Sequence, residues 1–306
     1  MLSELFYILV NMSIIGGLVS SILLCLRRVK KIPKSFVYLM WVVPFIRLIF
    51  PVAMTNQYSL MNLVSKFTTK TVVVYETTKS LPQLAFTNSV MAAKEYFPIR
   101  YKTNLLEGVF HVISFVWIIV ATAAIFTTVL LYVFTKAEIK EAVLYKDNIY
   151  RSNRISSPAL FGIFHPKIIL PFGLNETDLN YVILHEKAHA VRHDNLWRCI
   201  AVLICCVHWF NPVCWISLKY VFEDMELSCD HKVLQKLNRE EAKAYAYAVL
   251  NVASQTNLFV SAFGGAKTKI RMENILSYRK LTLFSSIAFT AFVIAIIIVL
   301  TTNAAL

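Results

Sequence analysis

The chain has 306 residues, of which 57% are hydrophobic and 16% are charged, and its mean hydropathy is +0.59. Soluble domains average about 45–50% apolar and about 25% charged residues, so this composition excludes an ordinary soluble protein and also a disordered one. The net charge of +13 is typical of a protein that faces anionic lipid. Because the sequence has no nucleic-acid-binding motif, we expect membrane lipid as a partner and no direct contact with nucleic acid.

Four apolar stretches are long enough to cross a bilayer, which requires about 20 helical residues. They are residues 5–26, 35–54, 108–134 and 281–306, and the second of them contains one charged residue, Arg47. We expect Arg47 either to reach towards the outer interface or to pair with neighbouring helices. The pattern predicts a mainly α-helical integral membrane protein with four transmembrane helices.

The distribution of basic residues predicts the orientation of these helices. Residues 27–34 contain five Lys and Arg side chains, which marks this loop as cytoplasmic under the positive-inside rule. The N-terminus then lies outside, and residues 1–134 form a three-helix transmembrane region with an external loop at 55–107. Residues 135–280 form a cytoplasmic domain, which is followed by the fourth span. We therefore expect a multi-pass protein of the plasma membrane.

The cytoplasmic segment contains the motif H-E-x-x-H, formed by His185, Glu186 and His189. Two histidines four residues apart lie on one face of a helix, so both imidazoles can bind one zinc ion. Zinc lowers the pKa of water to about 7, and a carboxylate beside it can accept the proton. The motif predicts His185 and His189 as zinc ligands and Glu186 as the general base of a peptidase.

A zinc site of this kind needs a third protein ligand. His193 follows the motif, but three histidines on one straight helix cannot complete a tetrahedral site, and Asn195 stands where a metzincin has its third histidine. Glu223, Glu226 and Asp230 share one face of a later helix. We favour Glu226 as the third ligand, with Asp230 holding the ring N–H of a ligand histidine.

A fifth uncharged stretch, residues 199–218, is interrupted at Asn211–Pro212. If this stretch crossed the bilayer, it would place Glu226 on the opposite side from the two histidines. We therefore predict that it turns back, as a re-entrant hairpin, a surface-lying segment or a segment packed inside the protein.

Upstream of the motif, residues 160–170 form an apolar run rich in β-forming residues, bounded by two prolines. It is either an edge strand that pairs with an extended peptide substrate or a plain core strand. In the first case, Gly162, Phe164 and Ile168 are the candidate substrate-binding residues. The residue that stabilises the oxyanion of the reaction is either His231 or a nearby tyrosine.

At these residues the sequence resembles the bacterial BlaR/MecR family of membrane metallopeptidases, the antirepressors that transduce β-lactam signals. The resemblance covers nearly the whole chain. The matching pieces are the H-E-x-x-H motif with Asp194, residues 208–212, Glu226-x-x-Cys229-Asp230, and the proline-bounded stretch 157–171.

The resemblance implies an α+β zinc metallopeptidase domain of gluzincin type between the third and fourth spans. It implies zinc bound by His185, His189 and Glu226, and a cytoplasmic protein substrate such as a DNA-binding repressor. Because the sequence ends at Leu306, after the fourth span, we do not expect the family's penicillin-binding sensor domain. We therefore expect the signal to come through the external loop, a separate sensor protein or a different stimulus.

Two alternatives remain open at this stage. The first is a non-catalytic membrane transducer or transport component with structural histidines. The second is a prenyl-protein type of membrane protease, although such enzymes have more spans than this chain.

Overall fold

The structure, a computed structural model, describes residues 2–29, 31–68, 105–255, 268–278 and 280–304. Most of the predicted external loop, residues 69–104, lies outside these described residues. The described helices are α1 (Leu2–Leu26), α2 (Lys34–Met40), α3 (Val42–Ile49), α4 (Leu60–Thr68), α5 (Leu105–Ile139), α6 (Glu176–Val191), α7 (Asp194–Val207), α8 (Pro212–Leu234), α9 (Arg239–Gln255), α10 (Thr268–Leu276) and α11 (Leu283–Thr301). The described strands are β1 (Thr55–Asn56), β2 (Val143–Lys146), β3 (Ile149–Ser152), β4 (Ala159–Phe161), β5 (Lys167–Pro171) and β6 (Asn303–Ala304).

Three helices in the described part of the chain are long and apolar enough to cross a membrane. They are Leu2–Leu26, Gly108–Ile139 and Leu283–Thr301, which coincide with the first, third and fourth predicted spans. The chain is accordingly a membrane protein. The orientation of the helices and the boundaries of the domains remain predictions.

The second predicted span, residues 35–54, is divided into the two short helices α2 and α3, which meet at Trp41. Pro44 explains the break, because it has no N–H to donate to the carbonyl of Met40, the last residue of α2. The second helix ends at Ile49, two residues before Pro51. Neither helix alone is long enough to cross a bilayer.

Arg47 lies on α3 and is almost fully buried, with 1% of its surface exposed. Its guanidinium donates to the backbone carbonyl of Leu300 (2.9 Å), to the side-chain oxygen of Asn303 (2.8 Å) and to the carbonyl of Thr302. These acceptors lie at the C-terminal end of α11, where the helix dipole favours a positive charge. Arg47 therefore joins α3 to the last helix, which agrees with the helix-pairing alternative.

We expect Arg47→Met to destabilise the detergent-solubilised protein by about 2–3 kcal/mol, because charged hydrogen bonds are lost and the carbonyl of buried Leu300 loses the Arg47 donor. The thermal unfolding midpoint measures this effect. Lys31→Met is the control, since Lys31 is exposed. Equal midpoints for the two variants would contradict the proposed role of Arg47 in holding α3 to α11.

The described part of the predicted cytoplasmic segment combines helices with a four-stranded sheet of order β2-β3-β5-β4. The β3–β5 pair is parallel, and the other two pairs are antiparallel. One face of the sheet packs against α6, through a cluster that includes Ile149, Leu170, Leu179 and Val182. The sheet therefore supports the helix that carries the H-E-x-x-H motif.

The run at residues 160–170 forms two strands and a tight turn, which corrects the expectation of one continuous strand. Gly162 has φ of 103°, and a Cβ there would lie 2.7 Å from the carbonyl oxygen of His165, so the turn requires glycine. Phe164 lies in the turn and is 78% exposed. Ile168 lies on β5, whose backbone is paired with β3 and with β4, so it cannot pair with a peptide. Within the described sheet, the two free edges belong to β2 and β4.

The uncharged stretch 199–218 forms the end of α7, a turn and the start of α8. Asn211 caps α8, and its side-chain amide donates to the carbonyl of Ser13 in the middle of α1 (2.9 Å). The indole of Trp117 on α5 donates to the carbonyl of Val207 (2.8 Å). The turn between α7 and α8 therefore packs against both α1 and α5. Its depth relative to the lipid remains a prediction.

Candidate metal centre

The two histidines of the motif lie one turn apart on α6 and point to the same place. His185 Nε2 and His189 Nε2 are 3.1 Å apart, and both side chains are buried. Zinc binds imidazole nitrogen at about 2.0–2.1 Å, so two nitrogens in a tetrahedral site are separated by about 3.3 Å. The observed spacing fits this requirement.

Helix α8 brings Glu226 to the same point. One carboxylate oxygen is 3.4 Å from His185 Nε2, and the other is 3.6 Å from His189 Nε2. Arg198 also pairs with this carboxylate, at 2.8 Å. Two nitrogens and a carboxylate at these separations fit the donor set of a divalent transition metal such as zinc.

Cys229, one turn after Glu226, is a second candidate for the third ligand position. A ligand atom from each of His185, His189 and Cys229 lies within 4.8 Å of the others. Burial raises the pKa of the thiol, but the two histidines lower it below its ordinary value. The Cys229 sulfur also donates to the backbone carbonyl of His185 (3.4 Å). Sequence reasoning did not assign this residue a role.

Asp194 holds the imidazole of His189. The ring Nδ1 of His189 donates to one carboxylate oxygen of Asp194 at 2.6 Å, and this carboxylate is fully buried. Helix α6 ends at Val191, and His193 adopts a left-handed conformation (φ of 54°) at the corner before α7. His193 therefore leaves the helical row of the two ligand candidates, and within the described residues the cluster able to bind a metal does not include it.

A separate group of side chains holds His185. The hydroxyl of Tyr245 lies 2.8 Å from His185 Nδ1 and donates to Asp230, whose carboxylate is 3.3 Å from the same nitrogen. Arg271 binds both oxygens of Asp230, at 2.7 and 2.9 Å. Asp230 thus lies beside the Nδ1 atom of His185, shares this position with the Tyr245 hydroxyl and is fixed by Arg271.

The electrostatics of the cluster favour a bound cation. Burial alone would lower the pKa of the imidazoles, but the Cys229 thiol and neighbouring acceptors, among them Tyr245 and Asp230 for His185 and Glu226 and Asp194 for His189, raise the pKa of both imidazoles well above the ordinary value. Burial would raise the pKa of the Glu226 carboxyl, yet the two histidines and Arg271 hold it well below its usual range. The pKa of Asp230 is also lowered against its burial, chiefly by Arg271. The carboxylates are therefore ionised beside two imidazoles, and this negative environment favours a cation at the site.

Glu186 is buried beside the first histidine. Among the described residues, its carboxylate has no hydrogen-bond or ion-pair partner. His231 lies elsewhere, because its ring is hydrogen-bonded to Ser35 (2.9 Å) and packs against Tyr278. Tyr245 contacts the Nδ1 side of His185, which faces away from the site. Neither His231 nor Tyr245 is therefore placed to contact the oxyanion.

The free edge of β4 is held beside this centre by Asn195. The side-chain amide of Asn195 donates to the carbonyls of Leu160 (2.9 Å) and Gly162 (3.0 Å). Asn195 directly follows Asp194, which binds His189. The edge strand is therefore anchored next to the corner of α6 and α7.

A family model described as BlaR1 peptidase M56 matches residues 7–276. The chain is 36% identical over 113 residues to the methicillin resistance mecR1 protein of Staphylococcus aureus, which covers 35% of this chain and 19% of the relative. It is 34% identical over 120 residues to regulatory protein BlaR1 of Bacillus licheniformis, which covers 38% of this chain and 20% of the relative. It is 33% identical over 144 residues to regulatory protein BlaR1 of S. aureus, which covers 43% of this chain and 25% of the relative. The matched part thus spans about a fifth to a quarter of the length of these relatives.

Proposed function

Because the chain belongs to the BlaR1 peptidase M56 family, we propose that it is an integral-membrane zinc endopeptidase of gluzincin type that acts in signal transduction. The observation that carries the proposal is the convergence of His185 Nε2, His189 Nε2 and the Glu226 carboxylate, which lie 3.1–3.6 Å apart. These three residues are the proposed zinc ligands. The membrane helices and the names of the relatives support a membrane-bound regulator.

Zinc, when bound, supplies a Lewis acid and makes water acidic enough to act as a nucleophile near neutral pH. The chain supplies the proton transfers. Glu186 accepts the proton of the attacking water and returns it to the leaving amine, a role suited to a carboxylate that none of the described residues binds. Asp194 and Tyr245 hold the Nδ1 atoms of the two histidines, so both Nε2 atoms stay directed at the metal.

The free edge of β4 provides the substrate-binding strand. An extended peptide that pairs with Ala159–Phe161 would form main-chain hydrogen bonds and share the Leu160 carbonyl with the Asn195 amide, so binding tolerates many sequences. We propose a cytoplasmic protein substrate such as a DNA-binding repressor, since curated relatives are named as a regulatory protein and as a methicillin resistance protein. The stimulus reaches the enzyme from the external side or through a separate sensor protein.

We expect the full chain, purified in detergent, to contain about one zinc ion per polypeptide, and to cleave an unfolded test protein in a zinc-dependent manner. Elemental analysis measures the metal, and gel or fluorescence assays measure cleavage. A chelator should abolish both signals, and added zinc should restore them. A folded chain that binds no zinc would contradict the proposal and favour the alternative of a non-catalytic transducer with structural histidines.

A further inference from the structure

The short helix α2 contacts the candidate metal centre through Tyr38. The Tyr38 hydroxyl donates to one oxygen of the Asp194 carboxylate at 3.2 Å. The other oxygen of this carboxylate accepts the ring N–H of His189 at 2.6 Å. A single buried carboxylate therefore connects a helix of the membrane region to an imidazole of the centre.

Arg192 strengthens this connection from the other side. Its guanidinium lies over the ring of Tyr38, at 4.6 Å from the ring centroid, and its Nε is 3.3 Å from the Asp194 oxygen that Tyr38 also contacts. Tyr38 thus contacts both the Asp194 carboxylate and the Arg192 guanidinium beside it. Since Asp194 is fully buried, no solvent is available to replace a lost donor.

Helix α2 is also fixed to α8, the helix that carries Glu226. The indole of Trp41, which directly follows α2, donates to Asp224 at 2.9 Å, and Arg27, in the segment that leads from α1 to α2, binds both oxygens of the same buried carboxylate at 2.9 Å. Ser35 is hydrogen-bonded to His231 on α8 at 2.9 Å. The position of α2 is therefore tied by polar contacts to both segments that carry proposed ligands.

The metal affinity of a histidine depends on the group that holds its other ring nitrogen, and loss of such a group costs about 10–100-fold. Asp194 provides this group for His189. Tyr38 and Arg192 both contact the second oxygen of Asp194, and together they limit rotation of the carboxylate about its own bonds. The orientation of the imidazole therefore depends on where α2 lies.

We propose that Tyr38 is a positioning residue of the metal centre, which fixes Asp194 and through it the His189 imidazole. Displacement of α2 within the membrane region then weakens metal binding by His189. A stimulus at the membrane that moves α2 would in this way change the metal affinity of the centre. The proposal rests on the proposed function, because it requires His189 to be a metal ligand.

The test is a double-mutant cycle on the zinc-loaded full chain in detergent, with the rate of zinc transfer to a chromogenic chelator as the readout. We expect Tyr38→Phe to speed zinc release by about 3–10-fold, and Asp194→Asn by about 10–100-fold. The double variant should release zinc no faster than Asp194→Asn alone, because Tyr38 acts through Asp194. Ser35→Ala is the matched control: it removes another polar contact of α2, but the Trp41–Asp224 hydrogen bond still holds the helix in place, so the rate should be unchanged.

Three outcomes would overturn the positioning role. They are an unchanged rate in Tyr38→Phe, an additive double variant, and an equal acceleration in Ser35→Ala, which would indicate general loosening of α2. If Asp194→Asn does not fold, the comparison of Tyr38→Phe with Ser35→Ala decides the question alone. A wild-type chain that binds no zinc would instead overturn the proposed function, so the two failures are distinguishable.

Discussion

Replacement of Glu186 by glutamine is expected to slow peptide cleavage by a factor of about 10²–10⁴ and to leave the zinc content unchanged. Glutamine keeps the size of the side chain but cannot accept a proton. Glu186 follows His185 directly and is buried, and no other group in the described part of the chain binds its carboxylate. Its proposed role is therefore chemical, and its removal should leave the ligand geometry intact.

The measurement compares the cleavage rate and the metal content of the same preparations. Glu176→Gln is the matched control, because Glu176 begins the same helix and is exposed. This control should behave like the wild type in both assays. If Glu186→Gln retains full activity, the general base must be another residue, and if it loses zinc, Glu186 must instead support the ligands.

The features that the sequence predicted best depend on local spacing. Two histidines four residues apart must share a helix face, and the structure brings their Nε2 atoms within 3.1 Å. The three long apolar helices also follow directly from uninterrupted hydrophobic runs. Glu226 and Asp230 share a helix face for the same reason, although only the structure brings this face to α6.

The groups that hold the histidines were harder to predict because they come from distant segments. Tyr245 lies 60 residues after its partner His185, and Arg271 lies 86 residues after it. No spacing rule connects such positions, since the packing of α9 and α10 against α6 and α8 brings them together. Asp194 is an intermediate case, because its closeness to His189 in the sequence was visible but its role was not.

Two local predictions changed because a single residue altered the backbone. Pro44 divides the second apolar stretch into α2 and α3, although the composition of the stretch is typical of one span. Gly162 allows a tight turn within the run at residues 160–170, and Ile168 lies in the centre of the sheet, as the core-strand alternative predicted. Hydrophobicity alone does not predict the helix break at Pro44 or the turn at Gly162.

The identity of the third ligand leads to the second large prediction. We expect Glu226→Gln to weaken zinc binding by at least about 100-fold, more than the loss of a group that only supports a ligand. Cys229→Ser should retain zinc and peptidase activity. The measurement is a chelator competition that gives the zinc affinity of each variant.

The geometry favours the carboxylate over the thiol. Each oxygen of Glu226 lies near a different Nε2 atom, at 3.4 and 3.6 Å, which agrees with the spacing of about 3.3 Å between zinc ligands. The Cys229 sulfur instead donates to the carbonyl of His185. To bind zinc, this thiol would have to give up both its proton and its hydrogen bond, because a zinc ligand is a thiolate.

Arg198→Gln separates loss of the ligand from loss of charge pairing. Arg198 pairs with Glu226 at 2.8 Å, so this variant removes the ion pair and leaves the carboxylate in place. It should keep most of the zinc affinity that Glu226→Gln loses. Cobalt substitution gives an independent measurement, because a thiolate ligand produces a strong sulfur-to-metal absorption band and a carboxylate does not. Such a band in the wild type, together with its loss in Cys229→Ser, would assign the third position to sulfur, and α8 would then hold the metal through Cys229 in place of Glu226.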